Sequence, residues 1–311
     1  MSSTIPEPAA VTARTTGAAA TMVVVALLFS TGGAAVKATD LGAWEVACGR
    51  SLIAALVIAA LDPSTVRRVA RAGLAIGLAY AATLTLFVHA NKLTTASHAV
   101  FLQATAPFYV FALAPWLLGE RWNPSQRRAA VLFAAALLCL VLGTSAPSAT
   151  ASAPALGGAL AAASAITYAL LVIGLRAAER DRPGRTTAAG MQGVLWGNLF
   201  AVAICLLPAV RSLRGAAVGV GASDLLVVVY LGALQVGLAY WLMVRAVRFL
   251  AAAQVSLLLL LEPLASPLWA YLLHAERPTA WTLAGGALAL AATAAGLRSR
   301  RIAPISTTPV G

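Results

Sequence analysis

Apolar residues fill long blocks of this chain, and polar residues collect in the short stretches between them. Ten blocks come near the roughly 20 apolar residues that a helix needs to cross a hydrocarbon core. They lie at roughly 17–36, 42–61, 72–90, 96–118, 127–145, 155–176, 188–210, 221–243, 249–273 and 280–297. The sixth and seventh have the softest edges. Every connection between blocks is short, so no extramembrane domain is expected. The pattern predicts an all-α membrane protein with ten transmembrane helices.

The pattern is also duplicated. Residues 106–121 read APFYVFALAPWLLGER, and residues 262–277 read EPLASPLWAYLLHAER. One offset of 156 brings Pro107 onto Pro263, Glu120 onto Glu276 and Arg121 onto Arg277. The same offset aligns Lys92 with Arg248, Ala96 with Ala252 and Leu117 with Leu273. The copies sit in the fourth and ninth blocks, and an odd number of intervening spans inverts orientation. Glu120 and Arg121 are therefore expected at the cytoplasmic side, Glu276 and Arg277 at the outer side. Two inverted five-helix repeats, 14–146 and 155–298, would be related by a pseudo-two-fold axis in the membrane plane, with a substrate site at their interface. The polar stretches 1–13 and 299–311 read as short disordered cytoplasmic tails.

Composition removes most alternatives. The chain is 60% hydrophobic and 10% charged, with mean hydropathy +0.86. A soluble protein cannot hide that much apolar surface. The net charge of +12 would suit nucleic acid, but its distribution reports orientation instead. With the N-terminus inside, sixteen Lys and Arg fall in inner loops and tails and five in outer ones, leaving Arg50 within a span. This positive-inside bias places both termini in the cytoplasm of a multi-pass protein of the cell's inner membrane. Cys48, Cys139 and Cys205 all fall inside apolar blocks and read as small core residues rather than disulfide partners or ligands. The first block is too long for a cleaved signal peptide. No GxxxxGKS/T motif is present, so ATP hydrolysis is not the energy source within this chain.

Specific segments carry a resemblance. Phe29-Ser30-Thr31-Gly32-Gly33 leads to Lys37, and Arg50 follows in the second span. Ala90-Asn91-Lys92-Leu93-Thr94-Thr95-Ala96 precedes the Pro-to-Leu-Gly-Glu-Arg stretch. The second half repeats these as Thr167-Tyr168 to Arg176, Arg248 to Ala252, and Leu261-Glu262-Pro263 to Glu276-Arg277. The chain so resembles the EamA-type family of the drug/metabolite transporter superfamily over nearly its whole length. The resemblance implies ten helices, a central cavity lined by spans one, three, four, six, eight and nine, and metabolite transport, usually export. One departure is His274-Ala275 where Leu-Gly is usual.

Glu262 leads the candidate functional residues. It lies about twelve residues from either end of its span, and an ionisable group at that depth is costly and a functional candidate by default. Pro263 and Pro267 follow it, and each frees a backbone carbonyl, of Leu259 and Pro263 respectively. A carboxylate beside freed carbonyls is a seat for a proton or cation, or a structural tie to a neighbouring helix. The repeat has Ala106 at the equivalent place, so one half alone carries the charge. Arg50 could hold a substrate carboxylate or bond backbone carbonyls where helices cross. Glu45, five residues away, sits about 140° off its face and is not expected to pair with it. Gln103 stands one turn before Pro107, whose ring frees the Gln103 carbonyl. Tyr230, Gly237 and Trp241 are spaced to share one helix face, as a cavity wall or as ordinary packing. Tyr80, Thr167, Tyr168 and Gln235 are further cavity candidates. Trp44, Trp116, Trp122 and Trp281 lie near span ends as interfacial anchors. His89, His98 and His274 have no metal-ligand spacing.

These features favour a secondary transporter that exports amino acids or related small metabolites by alternating access. Drug or toxic-compound efflux and an uncoupled facilitator are the alternatives. An enzyme is not expected: there is no GxSxG, no HExxH and no paired intramembrane Asp. The expected partners are a small-molecule substrate and membrane lipid, without nucleic acid, in a monomer or homodimer. No cofactor is expected, and a proton gradient is the candidate driving force.

Overall fold

A computed structural model describes residues 8–66, 71–119, 124–143, 150–181, 186–215, 219–246, 249–250, 255, 258–259 and 261–298. Among the described residues the chain is helical and has no strand. In the first half, α1 (Pro8–Ser30) starts within the stretch expected as a tail and passes Thr31 into α2 (Gly32–Lys37). α3 (Ala43–Leu61), α4 (Arg71–Leu93), α5 (Ala96–Gln103), α6 (Ala106–Leu118) and α7 (Pro124–Leu142) follow. The second half opens with α8 (Pro154–Asp181) and α9 (Thr186–Gly215). Next comes a span made of α10 (Ala222–Tyr230), a π-helical segment (Leu231–Leu238) and α11 (Ala239–Ala246). α12 (Leu261–His274) and α13 (Ala280–Arg298) complete it.

Seven helical stretches among the described residues are long and apolar enough to cross a membrane: Arg14–Lys37, Ala43–Leu61, Gly73–Leu93, Ala96–Leu117, Pro154–Leu175, Gly190–Gly215 and Ala222–Ala246. Ala280–Ala295 is a shorter apolar helix. The remaining expected blocks, 127–145 and 249–273, coincide with α7 and α12, which do not reach that standard among the described residues. Large apolar side chains such as Leu56, Leu78, Val131 and Leu226 are exposed, so lipid rather than water suits this surface. The protein is therefore an all-helical, multi-pass membrane protein.

The main helix pairs join the first half of the chain to the second. α4 packs on α8, and α11 packs on α1. α4 also packs on α9, as the π-segment does on α3. α6 lies on α8, as α12 lies on α1. The remaining major pairs, α3 with α9, α5 with α12 and α7 with α13, map onto themselves when the halves are exchanged.

The fourth span is broken rather than kinked. α5 ends at Gln103, a turn covers Ala104 and Thr105, and α6 restarts with Pro107 in its first turn. A proline costs little there, because the first-turn N–H groups have no helical acceptor. Pro263 and Pro267 both lie within α12, and Leu258 and Leu259 just before its described part are helical too. Glu120, Arg121, Trp122 and Arg248 lie outside the described residues.

The departure at His274-Ala275 has a backbone consequence. Gly119 ends α6 with φ +68, the left-handed geometry that closes many helices. Its repeat equivalent Ala275 keeps that geometry at φ +52 and is the one non-glycine residue with positive φ among the described residues. A Cβ there costs about 1 kcal/mol. Ala275→Gly should raise the detergent-solubilised melting temperature by about 2–4 °C. An unchanged or lower melting temperature would show that the conformation is unstrained.

Candidate functional site

The centre of the molecule depends on close helix approach. Gly73 and Gly77 of α4 face Gly193 and Gly197 of α9. A Cβ on Gly197 would come within 2.9 Å of the Gly77 carbonyl, and one on Gly77 within 3.0 Å of the Gly197 nitrogen. These are two interlocking GxxxG pairs, the arrangement that lets membrane helices touch backbone to backbone. Their crossing sets Tyr80, one turn beyond on α4, against α9. This signal was present in the sequence and pointed to the site's framework.

Around that crossing lie Tyr80, Tyr168, Tyr240 and Trp241, within one apolar cluster that also holds Leu84, Leu171 and Leu195. The Tyr80 and Tyr240 rings meet edge to face at 5.0 Å, and Phe29 tilts onto Tyr240 at 4.9 Å. The Tyr80 hydroxyl approaches Asn198 and Tyr240 without a well-directed hydrogen bond to either. Tyr168 and Tyr240 both lie within electrostatic range of the Glu262 carboxylate. Glu262 itself has no hydrogen-bond or ion-pair partner among the described residues. So Glu262 and Tyr168 are brought together, and Tyr240, which sequence reasoning passed over, joins them.

Arg50 takes the second of its two readings. It is 1% exposed, and its Nη2 donates to the Leu84 carbonyl at 2.9 Å. Its Nε has no partner, and Tyr80, Tyr240 and Cys205 lie within electrostatic range of its charge. Arg50 ties α3 to α4 rather than opening into the centre. Glu45 does not pair with it.

Gln103 is held in a polar chain. Its Nε2 donates to Ser164 Oγ at 2.7 Å, Ser164 donates to the Thr83 carbonyl at 3.2 Å, and Thr83 donates to Thr167 at 2.9 Å. Three spans are thereby joined beside the aromatic centre.

The Tyr230, Gly237 and Trp241 stripe does not form one wall. The π-helical segment between them winds more residues into each turn and shifts their register. Tyr230 bonds Thr31 at 2.6 Å, whereas Trp241 carries Arg245 over its ring at 4.0 Å. Gly237 is pressed on α3, where a Cβ would meet Val57 at 3.0 Å. Gln235 reaches α2 instead, its Nε2 filling the space above Gly32. The cysteines are unbonded, and no group of His, Cys, Asp or Glu among the described residues could hold a metal ion.

One end of the bundle is closed by polar contacts between the halves. Lys37 at the end of α2 lies 3.1 Å from the Glu276 carboxylate beyond α12 and also donates to the Thr150 carbonyl. The other Glu276 oxygen accepts from the Ala96 N–H at 2.9 Å. Nearby, Lys92 donates to the Thr39 carbonyl at 2.7 Å, and Thr39 donates to Asp224 at 2.6 Å.

A helical bundle with a buried, aromatic centre that carries few charges defines a multi-pass membrane protein. Residues 155–296 match the EamA-like transporter family model. That segment, somewhat under half of the chain, is thus similar to a family of the drug/metabolite transporter superfamily. No curated protein matches its sequence. A solved crystal structure 20% identical to it shares the fold, with TM-score 0.61 over 92% of this chain and 99% of that one.

The packing of the π-segment on α3 gives a direct check. A Cβ on Gly232 would stand 2.7 Å from the Arg50 carbonyl and 2.6 Å from Ile53 Cβ. Gly232→Ala should therefore destabilise the fold by about 1–3 kcal/mol. Gly17→Ala, with open space around it, should be neutral or slightly stabilising. Thermal unfolding in detergent compares them, and equal melting temperatures would contradict the close approach.

Proposed function

We propose that this chain is a secondary transporter of the cell membrane, with ten spans in two inverted five-helix repeats, that exports amino acids or related small metabolites by alternating access. The observation that carries the reading is Glu262, a carboxylate without a partner among the described residues, within electrostatic range of Tyr168 and Tyr240. Phe29 and Tyr80 bring the first half to the same place. The exchange symmetry of the packing supports the inverted repeats. A proton gradient is the proposed driving force, loaded at Glu262 from one side and released to the other. Coupling requires that substrate affinity differ between the two protonation states.

A second reading has its own support. Arg50 is buried and spent on a backbone carbonyl, so a guanidinium clamp for a substrate carboxylate is not on offer in this conformation. The aromatic, charge-poor centre suits efflux of apolar or amine-bearing compounds equally well. A metabolite-accumulation and toxicity screen in cells with and without the protein separates the substrate classes.

The coupling claim is tested in proteoliposomes under an imposed pH gradient. Glu262→Gln mimics the protonated acid. It should insert normally and still exchange substrate, while pH-driven accumulation falls at least about tenfold. Native-like gradient-driven uptake by this variant would end the claim. A native protein without pH-driven accumulation would instead point to a facilitator.

Orientation is checked with two exposed positions, Ser64 between α3 and α4 and Ser152 before α8. With both termini cytoplasmic, Ser152→Cys should react with an impermeant thiol reagent outside intact cells, and Ser64→Cys should not. The reverse pattern would invert the topology.

A further inference from the structure

We propose that Lys37 and Glu276 form a latch that holds the outer mouth shut, and that its release opens the centre to the outside. The inference rests on the alternating-access reading for its purpose but not for its test.

Four segments converge on one buried carboxylate. Glu276, 5% exposed, follows α12 in the second half. Lys37 ends α2, and the accepted N–H of Ala96 begins α5, both in the first half. Lys37 also holds the Thr150 carbonyl, just before α8. His274, one residue before the left-handed Ala275, adds a bond from its Nε2 to the Ala34 carbonyl at 2.7 Å. α2 is thus fixed to the end of α12 at two points, above the aromatic centre.

The chemistry suits a latch better than a permanent brace. Desolvating two charges offsets most of their attraction, so an intact buried pair contributes little net stability. Removing one partner is different, because it strands the other charge in the closed state alone. When the mouth opens, water solvates both groups. Breaking the pair should therefore shift the population toward the open form rather than unfold the protein. At the 156-residue offset Glu276 and Ala96 correspond to Glu120 and Ala252, but Lys37 corresponds to Gly193, so the ion pair belongs to this end alone in the repeat.

Accessibility from outside reads the latch without any substrate. Ser266 of α12 is wholly buried, its hydroxyl without a partner. In a background lacking Cys48, Cys139 and Cys205, Ser266→Cys reports entry of an impermeant thiol reagent. Glu276→Gln should raise its labelling rate by about tenfold or more. Arg277→Gln, which removes the exposed neighbouring charge, should leave it unchanged. Lys37→Glu combined with Glu276→Lys should return labelling toward the native rate. Detergent melting confirms that each variant is folded. Unchanged labelling in a folded Glu276→Gln variant would overturn the latch, even if the protein transports. Faster labelling would sustain it, even if no transported substrate were found.

Discussion

Lipid is as apolar as leucine, so burying hydrophobic side chains gives membrane helices no reason to associate. Close approach of backbones supplies the reason, and this molecule obtains it with glycine at related places. α4 meets α9 through Gly73, Gly77, Gly193 and Gly197. The pair related by exchanging the halves, the π-segment and α3, meets through Gly232 and Gly237. In both cases side chains from the flanking helices fill the space where a Cβ would stand. The π-helical turn belongs to this constraint, because it brings two glycines five residues apart onto one face. Everything at the centre, from the Tyr80–Tyr240 contact to the Arg50 tie, hangs on these two crossings.

The two buried charges behave differently because of what lies beside them. Arg50 is long enough to reach the Leu84 carbonyl, so its helix crossing supplies an acceptor. Glu262 lies in α12 beside Pro263, with Tyr168 and Tyr240 within electrostatic range and no ion-pair partner among the described residues. A lone acid in such a place is costly when ionised and unremarkable when protonated. That asymmetry makes it suited to a change of charge state, where Arg50 is suited to staying fixed.

How much of this was legible in the sequence depends on the range of the interaction. Block lengths announced a helical membrane protein, because hydropathy is a local property. Glu262 stood out because charge inside an apolar block is rare. Gln103 was seen as polar, but its partner Ser164 lies on another span and could not be named. The Tyr230 to Trp241 stripe could be a cavity wall or ordinary packing at 3.6 residues per turn, and the π-helical segment changes that spacing. Tyr240 was missed because nothing local distinguishes it from a packing tyrosine. The GxxxG pairs were local and readable, and they would have located the crossing.

The repeat in the sequence is inexact, and its differences fall at the two ends of one segment. Ala106 stands where the second copy has Glu262, so one copy alone carries the acid. A pair of acids related by the pseudo-two-fold would repel each other when ionised. At the other end, Gly119 is replaced by Ala275, which retains a left-handed backbone at a cost. His274 beside it bonds the Ala34 carbonyl, an interaction worth about 1 kcal/mol that offsets the strain. The strained residue thus sits where α12 is fastened to α2. A fastening whose bonds barely exceed its strain can be released at little cost, which a reversible closure requires and a permanent brace does not.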